Sequence, residues 1–184
     1  MNTREYSRLL IQLLLLPLLA LSLLAIGLGY SLQRVEKSAG LVDHSDQVIA
    51  HANRLLNLIV DEETGVRGYF LTRDPAFLEP YNRAESILPQ EFDKTFSMIQ
   101  DNPEQIARLQ QLREHYREWE TVTREDLSHS VPSAAEMQMR KQKMDGIRSQ
   151  AKRFLQAEML LRRQRSVTAS DMRSLTRLSL IGLI

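Results

Sequence analysis

The sequence predicts an all-α protein: an antiparallel up-down four-helix bundle whose long first and last helices continue into transmembrane helices. Three observations carry this. Glycine and proline number only 7 and 6 in 184 residues, and they sit where helices would begin or bend. No segment reads as a strand. Apolar runs close both ends of the chain, where a bundle tethered to a membrane would place them.

The first run, Leu9 to Gly29, is 21 residues without a charge, interrupted mildly by Gln12, Pro17 and Ser22. At about 1.5 Å of rise per residue it covers roughly 30 Å, the hydrocarbon thickness of a bilayer. A cleaved signal peptide would carry a shorter apolar region of about 7 to 15 residues and a small-residue cleavage site. Tyr30 and Arg34 follow as interfacial anchors, so the reading is an uncleaved span over 9–30, preceded by a short tail over 1–8. At the other end Leu178 to Ile184 turns apolar, but seven residues cannot cross a bilayer. This stretch, 178–184, reads as the start of a second span, with an output part of the protein expected beyond it.

Residues 31–177 lie between the spans, enough for one domain with a sizeable core. Asp74-Pro75 and Asn102-Pro103 each place a capping side chain before a proline at the first helical position. A third break is Ser128-His-Ser-Val-Pro-Ser133. These breaks divide the domain into helices over about 31–72, 75–100, 103–128 and 134 onward.

Apolar spacing supports the division. In the first helix Leu41, Val48 and Leu55 repeat every seven residues, with Ser45, Ala52, Ile59 and Val66 between them. The last helix carries Met144, Ile147, Ala151, Phe154, Glu158 and Leu161 in the same manner. The middle pair carries Phe77, Leu78, Tyr81, Leu88, Phe92, Phe96 and Ile99, then Ile106, Leu109, Leu112, Tyr116, Trp119 and Val122. Such rows are bundle core. The first and last helices run without a strong breaker into the apolar ends, a continuity suited to carrying a displacement across a membrane.

The 24 basic and 23 acidic residues are interspersed and leave a net charge of +1, which gives no support to nucleic-acid binding. Cysteine is absent, so disulfide and thiolate chemistry are excluded. There is no phosphate-cradling glycine loop, kinase dimerisation motif or cyclase signature, and this chain is expected to catalyse nothing, with no metal and no cofactor. Glu62 and Glu63 are adjacent on a helix and point about 100° apart, so they do not form an acid/base dyad. His44 and His51 lie about 10 Å apart along their helix and cannot chelate one metal by themselves. They read as ordinary boundary histidines.

The segment Asp61-Glu-Glu-Thr-Gly-Val-Arg-Gly-Tyr-Phe-Leu-Thr72, followed by Asp74-Pro-Ala-Phe-Leu-Glu-Pro-Tyr81, strongly resembles the signature of the third class of CHASE domains, the cyclase/histidine-kinase-associated sensory extracellular domains. The matching positions are Glu63, Thr64, Arg67, Gly68, Tyr69, Leu71, Thr72, Leu78 and Tyr81. Met144-Asp-Gly-Ile-Arg148 with Phe154, Glu158, Leu161 and Arg162 or Arg163 resembles the returning helix of that family. The resemblance covers roughly residues 40–168. Arg73 departs from it, standing where many members carry glycine.

The resemblance implies an exported sensory domain between two membrane helices of a bacterial receptor that dimerises, with its input in the periplasm or outside the cell. It also implies an intracellular output: most often a histidine kinase of a two-component system, otherwise a diguanylate cyclase or a chemotaxis receptor. It places the amino terminus inside, where charge counting does not decide: Arg4 and Arg8 before the first span are balanced by Arg34 and Lys37 after it, and Arg173 and Arg177 before the second span favour the reverse. The competing class is a membrane-tethered helical interaction module. The expected partners are the lipid bilayer, a second copy of the chain and an unidentified ligand or partner protein.

Among the signature residues Glu63, Arg67, Gly68, Tyr69, Tyr81, Arg148 and Glu158, a charge cluster is expected from geometry. Glu63 and Arg67 share a helix face four residues apart. Counting 32 residues outward from the membrane along both long helices sets Glu63 opposite Asp145, one turn from Arg148. The expected role of Glu63, Arg67 and Arg148 is to fix helix register, with anion or cation binding as the competing role.

Overall fold

The computed structural model describes residues 3–128 and 132–181. They form α1 (Thr3–Thr72), a 3-10 turn (Pro75–Leu78), α2 (Glu79–Met98), α3 (Pro103–Ser128) and α4 (Ala134–Ile181), with no strand among the described residues. The fold is all-α. The chain divides into one unit built from residues 44–162 and another from the stretches before 44 and after 162.

Each break has a local cause. At the end of α1, Arg73 turns left-handed at φ 61° and its N–H donates to the Tyr69 carbonyl at 2.7 Å, an αL cap. Asp74 then accepts from the Ala76 N–H at 2.9 Å. What it opens is a 3-10 turn and not the α-helix expected from residue 75. Pro80 has no N–H to give the Ala76 carbonyl, and its ring would clash there in an α-helix. The Glu79 N–H bonds Ala76 instead, and α2 starts afresh. It ends at Met98, two residues short of the expected limit. Asn102 caps α3 through the Gln105 N–H at 3.2 Å. Ser133 and Glu136 cap α4 reciprocally, each accepting the other's backbone N–H.

Polar pairs across the helices of the 44–162 unit set the chain directions. Arg148 meets Glu63 while Arg162 meets Asp46, so α4 runs against α1. Arg113 meets Asp93 and Arg124 meets Glu85, so α3 runs against α2. Lys143 meets Glu118 and Arg140 meets Asp126, so α4 also runs against α3. The core takes Val48, Leu55 and Ile59 from α1, Leu88 and Phe92 from α2, Leu112 and Trp119 from α3, and Ile147 and Phe154 from α4. Each such large apolar side chain contributes about 1.5–3 kcal/mol when fully buried. Two residues read as core are not. Phe77 is exposed because it lies on the 3-10 turn, and Leu41 is exposed on the part of α1 that precedes the bundle unit.

In the other unit, Ser38 donates to the Met172 sulfur at 3.2 Å and Arg165 to the Leu41 carbonyl at 3.3 Å, so these stretches of α1 and α4 lie side by side. Arg34 donates to the Tyr30 hydroxyl one turn away at 3.0 Å. Among the described residues one helix, α1, holds a segment long and apolar enough to cross a membrane, and none of that segment is buried by protein. Residues 178–181 continue α4, while 182–184 of the expected second span lie outside the described residues.

Candidate functional site

The end of α1 and the beginning of α4 gather most of the residues singled out from the sequence. Glu63 is 13% exposed at its side chain and accepts from Arg148 at 2.5 Å. Arg67, 74% exposed, holds its guanidinium 3.9 Å from the other Glu63 oxygen. Asp145 does not face Glu63 directly. It binds Lys141 at 2.7 Å and Arg148 at 3.4 Å, and the Lys141 bond holds its carboxyl below the usual range. Arg148 therefore bridges two carboxylates on two helices.

Beside this cluster lies a cavity of about 580 Å³. Val66, Phe70 and Leu71 of α1, Trp119 of α3 and Met137 of α4 make its apolar wall. Arg67, Arg140, Lys141 and Arg148 bring four cations to the lining against the single carboxylate of Glu63. Arg140 is the unusual one. It is 8% exposed, with its guanidinium 4.3 Å from the Phe70 ring centroid. Its Nε lies 3.1 Å from Asp126 Oδ2, but neither Nε nor Nη1 makes a hydrogen bond. Burial pulls its pKa below the arginine range, against the opposing pull of the Asp126 and Glu136 carboxylates. A buried donor left in this condition is costly unless something accepts from it.

A second polar group is buried close by. Glu62 is fully buried and accepts from the Tyr116 hydroxyl at 3.2 Å, while its Oε2 has no partner. Burial raises its pKa from 4.5 to about 8; the Tyr116 bond opposes the rise, and the charges of Glu120 and Glu85 add to it. Tyr81 belongs to this network. It is buried and is pushed up to about 12 by burial and by Glu85 and Glu62, with Arg124 opposing the rise.

Gly68 and Tyr69 build the corner. A Cβ on Gly68 would stand 2.5 Å from Phe77 Cδ1, and one on Gly65 would stand 2.8 Å from the Phe77 carbonyl oxygen. Both glycines let the 3-10 turn sit directly on α1. Tyr69 packs beside Phe70, and Arg73 covers both rings at 5.5 and 5.6 Å. Glu158 lies elsewhere, deep in the core. It accepts from Ser45 of α1 and Gln105 of α3, both at 2.8 Å. His51 pairs with Glu91 of α2, which also meets Arg54 at 3.2 Å.

A family model described as the CHASE3 domain matches residues 38–167, more than half of the chain. The chain belongs to this family. CHASE3 is a sensory extracellular domain found in receptors such as histidine kinases and cyclases. No curated protein and no solved structure matches the chain. The matched CHASE3 region contains the whole bundle unit, the cavity and the buried Glu62 network.

Reading the sequence missed Arg140 and the cavity, and it set Glu62 aside. The signal was present in both cases. Glu62 is the next member of the series Val48, Leu55, and Arg140 stands one turn before Met144 on the α4 stripe. A charged residue in an apolar phase marks a site where charge is buried.

Proposed function

We propose that this CHASE3 chain is the signal-input region of a bacterial transmembrane receptor, most closely suited to a sensor histidine kinase of a two-component system. In this reading residues 1–8 are cytoplasmic, 9–30 cross the inner membrane, 31–177 form the exported sensory domain and 178–184 enter the second span. The chain works as a homodimer, and it is not itself an enzyme. The stimulus crosses the bilayer as a displacement of helices.

The observation that supports this reading is helical continuity. α1 is a single helix of 70 residues that contains both the apolar segment and the wall of the cavity, and α4 is a single helix of 48 residues that leaves the same cavity for the apolar carboxyl end. An unbroken helix transmits a small translation or rotation that a flexible linker would absorb. The test is a chimera in which the chain is fused at Leu178 to the second span and cytoplasmic half of a histidine kinase with a measured output. Insertion of one to seven alanines after Arg173 turns α4 by about 100° per residue. Kinase output should rise and fall with the helical period of about 3.6 residues. An output indifferent to insertion length would overturn the reading.

A further inference from the structure

Resting on the sensory reading above, we propose that the cavity between α1, α3 and α4 is the input site, and that it takes a small organic anion: one carboxylate on a compact apolar body. The carboxylate is bound by Arg140.

The volume, about 580 Å³, lies within the roughly 300–1,000 Å³ of small-ligand sites. The charge of the lining selects the sign. Glu63 is committed to Arg148, and Lys141 to Asp145, so neither group is free to choose the ligand. Arg140 differs from both. Its Nη1 is buried without an acceptor, its Nε is poorly aligned to Asp126, and its guanidinium is held in place over Phe70. A carboxylate oxygen supplies what that donor lacks, and the low-polarity surroundings strengthen the bond. An ammonium has no acceptor to offer, and the carbonyl oxygen of a neutral amide accepts a weaker bond and leaves the guanidinium charge uncompensated.

The rest of the wall selects the body. Val66, Phe70 and Met137 offer apolar surface, and Trp119 adds its ring. Occupancy also has a mechanical outcome, because the wall belongs to the far end of α1 and the first turns of α4. A ligand held between them ties together the two helices that lead to the apolar ends.

Trp119 is the protein's single tryptophan and lines the cavity, so its emission reports occupancy directly. The full chain in lipid nanodiscs is titrated with hexanoate and with phenylacetate, and in parallel with hexanamide, phenylacetamide and acetate. At least one of the two acids should change Trp119 emission saturably with a Kd below about 1 mM. Its amide should bind about tenfold more weakly or worse, and so should acetate. Arg140→Met should weaken the acid by about tenfold or more and the amide by much less. Should Arg140→Met not fold, Met137→Glu serves instead, because Met137 is a half-exposed wall residue. It sets a carboxylate at the cavity and should abolish binding of the acid while sparing the amide. Absence of saturation by both acids, equal binding of acid and amide, or acid binding indifferent to the variant that folds would each overturn the assignment. Binding is read on this chain alone, and the insertion series is read without ligand. A failed titration therefore leaves the sensory reading standing, and a flat insertion series leaves the cavity assignment standing.

Discussion

Arg148 of α4 donates to Glu63 of α1 at 2.5 Å and so joins two residues 85 positions apart in the chain. The pair is a direct measure of how the two long helices are aligned. Removing one partner leaves a largely buried carboxylate or a stranded guanidinium. Arg148→Met should lower the melting temperature of the full chain in detergent by several degrees, about 1–2 kcal/mol, because Arg67 at 3.9 Å is a weak substitute. Glu63→Gln should act in the same direction. Circular-dichroism melting checks both, and two variants that melt with the parent would show that the pair does not fix register.

Arg73 occupies a left-handed conformation, φ 61°, that costs a non-glycine residue about 1–2 kcal/mol. Its guanidinium recovers part of that cost over the Tyr69 and Phe70 rings. Arg73→Gly should therefore stabilise the chain slightly, by about 0.5 kcal/mol. A lower melting temperature would mean that the ring contacts outweigh the backbone strain.

The two corner glycines should differ in tolerance. A Cβ on Gly65 meets backbone, the Phe77 carbonyl, whereas one on Gly68 meets a Phe77 ring that is exposed and can rotate away. Gly65→Ala should cost about 1–3 kcal/mol. Gly68→Ala should cost less. Equal losses in denaturant melts would contradict the distinction.

Glu62 makes stability depend on pH. Its pKa is about 8 in the folded chain against 4.5 ordinarily, so the folded state keeps a proton that the unfolded state releases. Below pH 4.5 both states are protonated and there is no penalty. Between 4.5 and 8 the unfolded state binds fewer protons, so stability falls as pH rises, and the loss is complete above 8. Glu62→Gln removes the group that titrates. The stability of the variant relative to the parent should rise by a few kcal/mol between pH 5 and pH 8.5. A difference that stays constant across that range would exclude burial of a protonated Glu62.

Leu16 stands in the apolar segment of α1, exposed to its surroundings. Leu16→Arg should impair membrane insertion by about 2.5–3.5 kcal/mol on insertion scales. Unchanged recovery in the membrane fraction would argue against a spanning role.

The helices were legible because their punctuation is local. Asp74, Asn102 and the prolines after them act within one turn, and the apolar stripes repeat at a fixed spacing. The 3-10 turn was less legible because its cause, Pro80, lies six residues beyond the capping Asp74. In the site, counting residues along two helices set Asp145 opposite Glu63 and brought Arg148, the actual partner, within one turn. Arg140 could not be interpreted that way. Its meaning depends on the Phe70 ring beneath it, the misaligned Asp126 beside it and the space in front of it, none of which is set by spacing along one helix.

Ser45, Glu158 and Gln105 form a buried polar layer near one end of the bundle unit, with both bonds to Glu158 at 2.8 Å. Such a layer works as a detent. A slip of α4 along α1 by about 1 Å keeps its oxygens within reach, whereas one of several ångströms strands a buried carboxylate. A full-turn jump of about 5.4 Å would put Phe154 or Arg162 opposite Ser45, and neither restores the layer. For the helix displacement proposed above, this layer sets a short throw: a stroke near 1 Å keeps the Glu158 bonds, and a longer one breaks them.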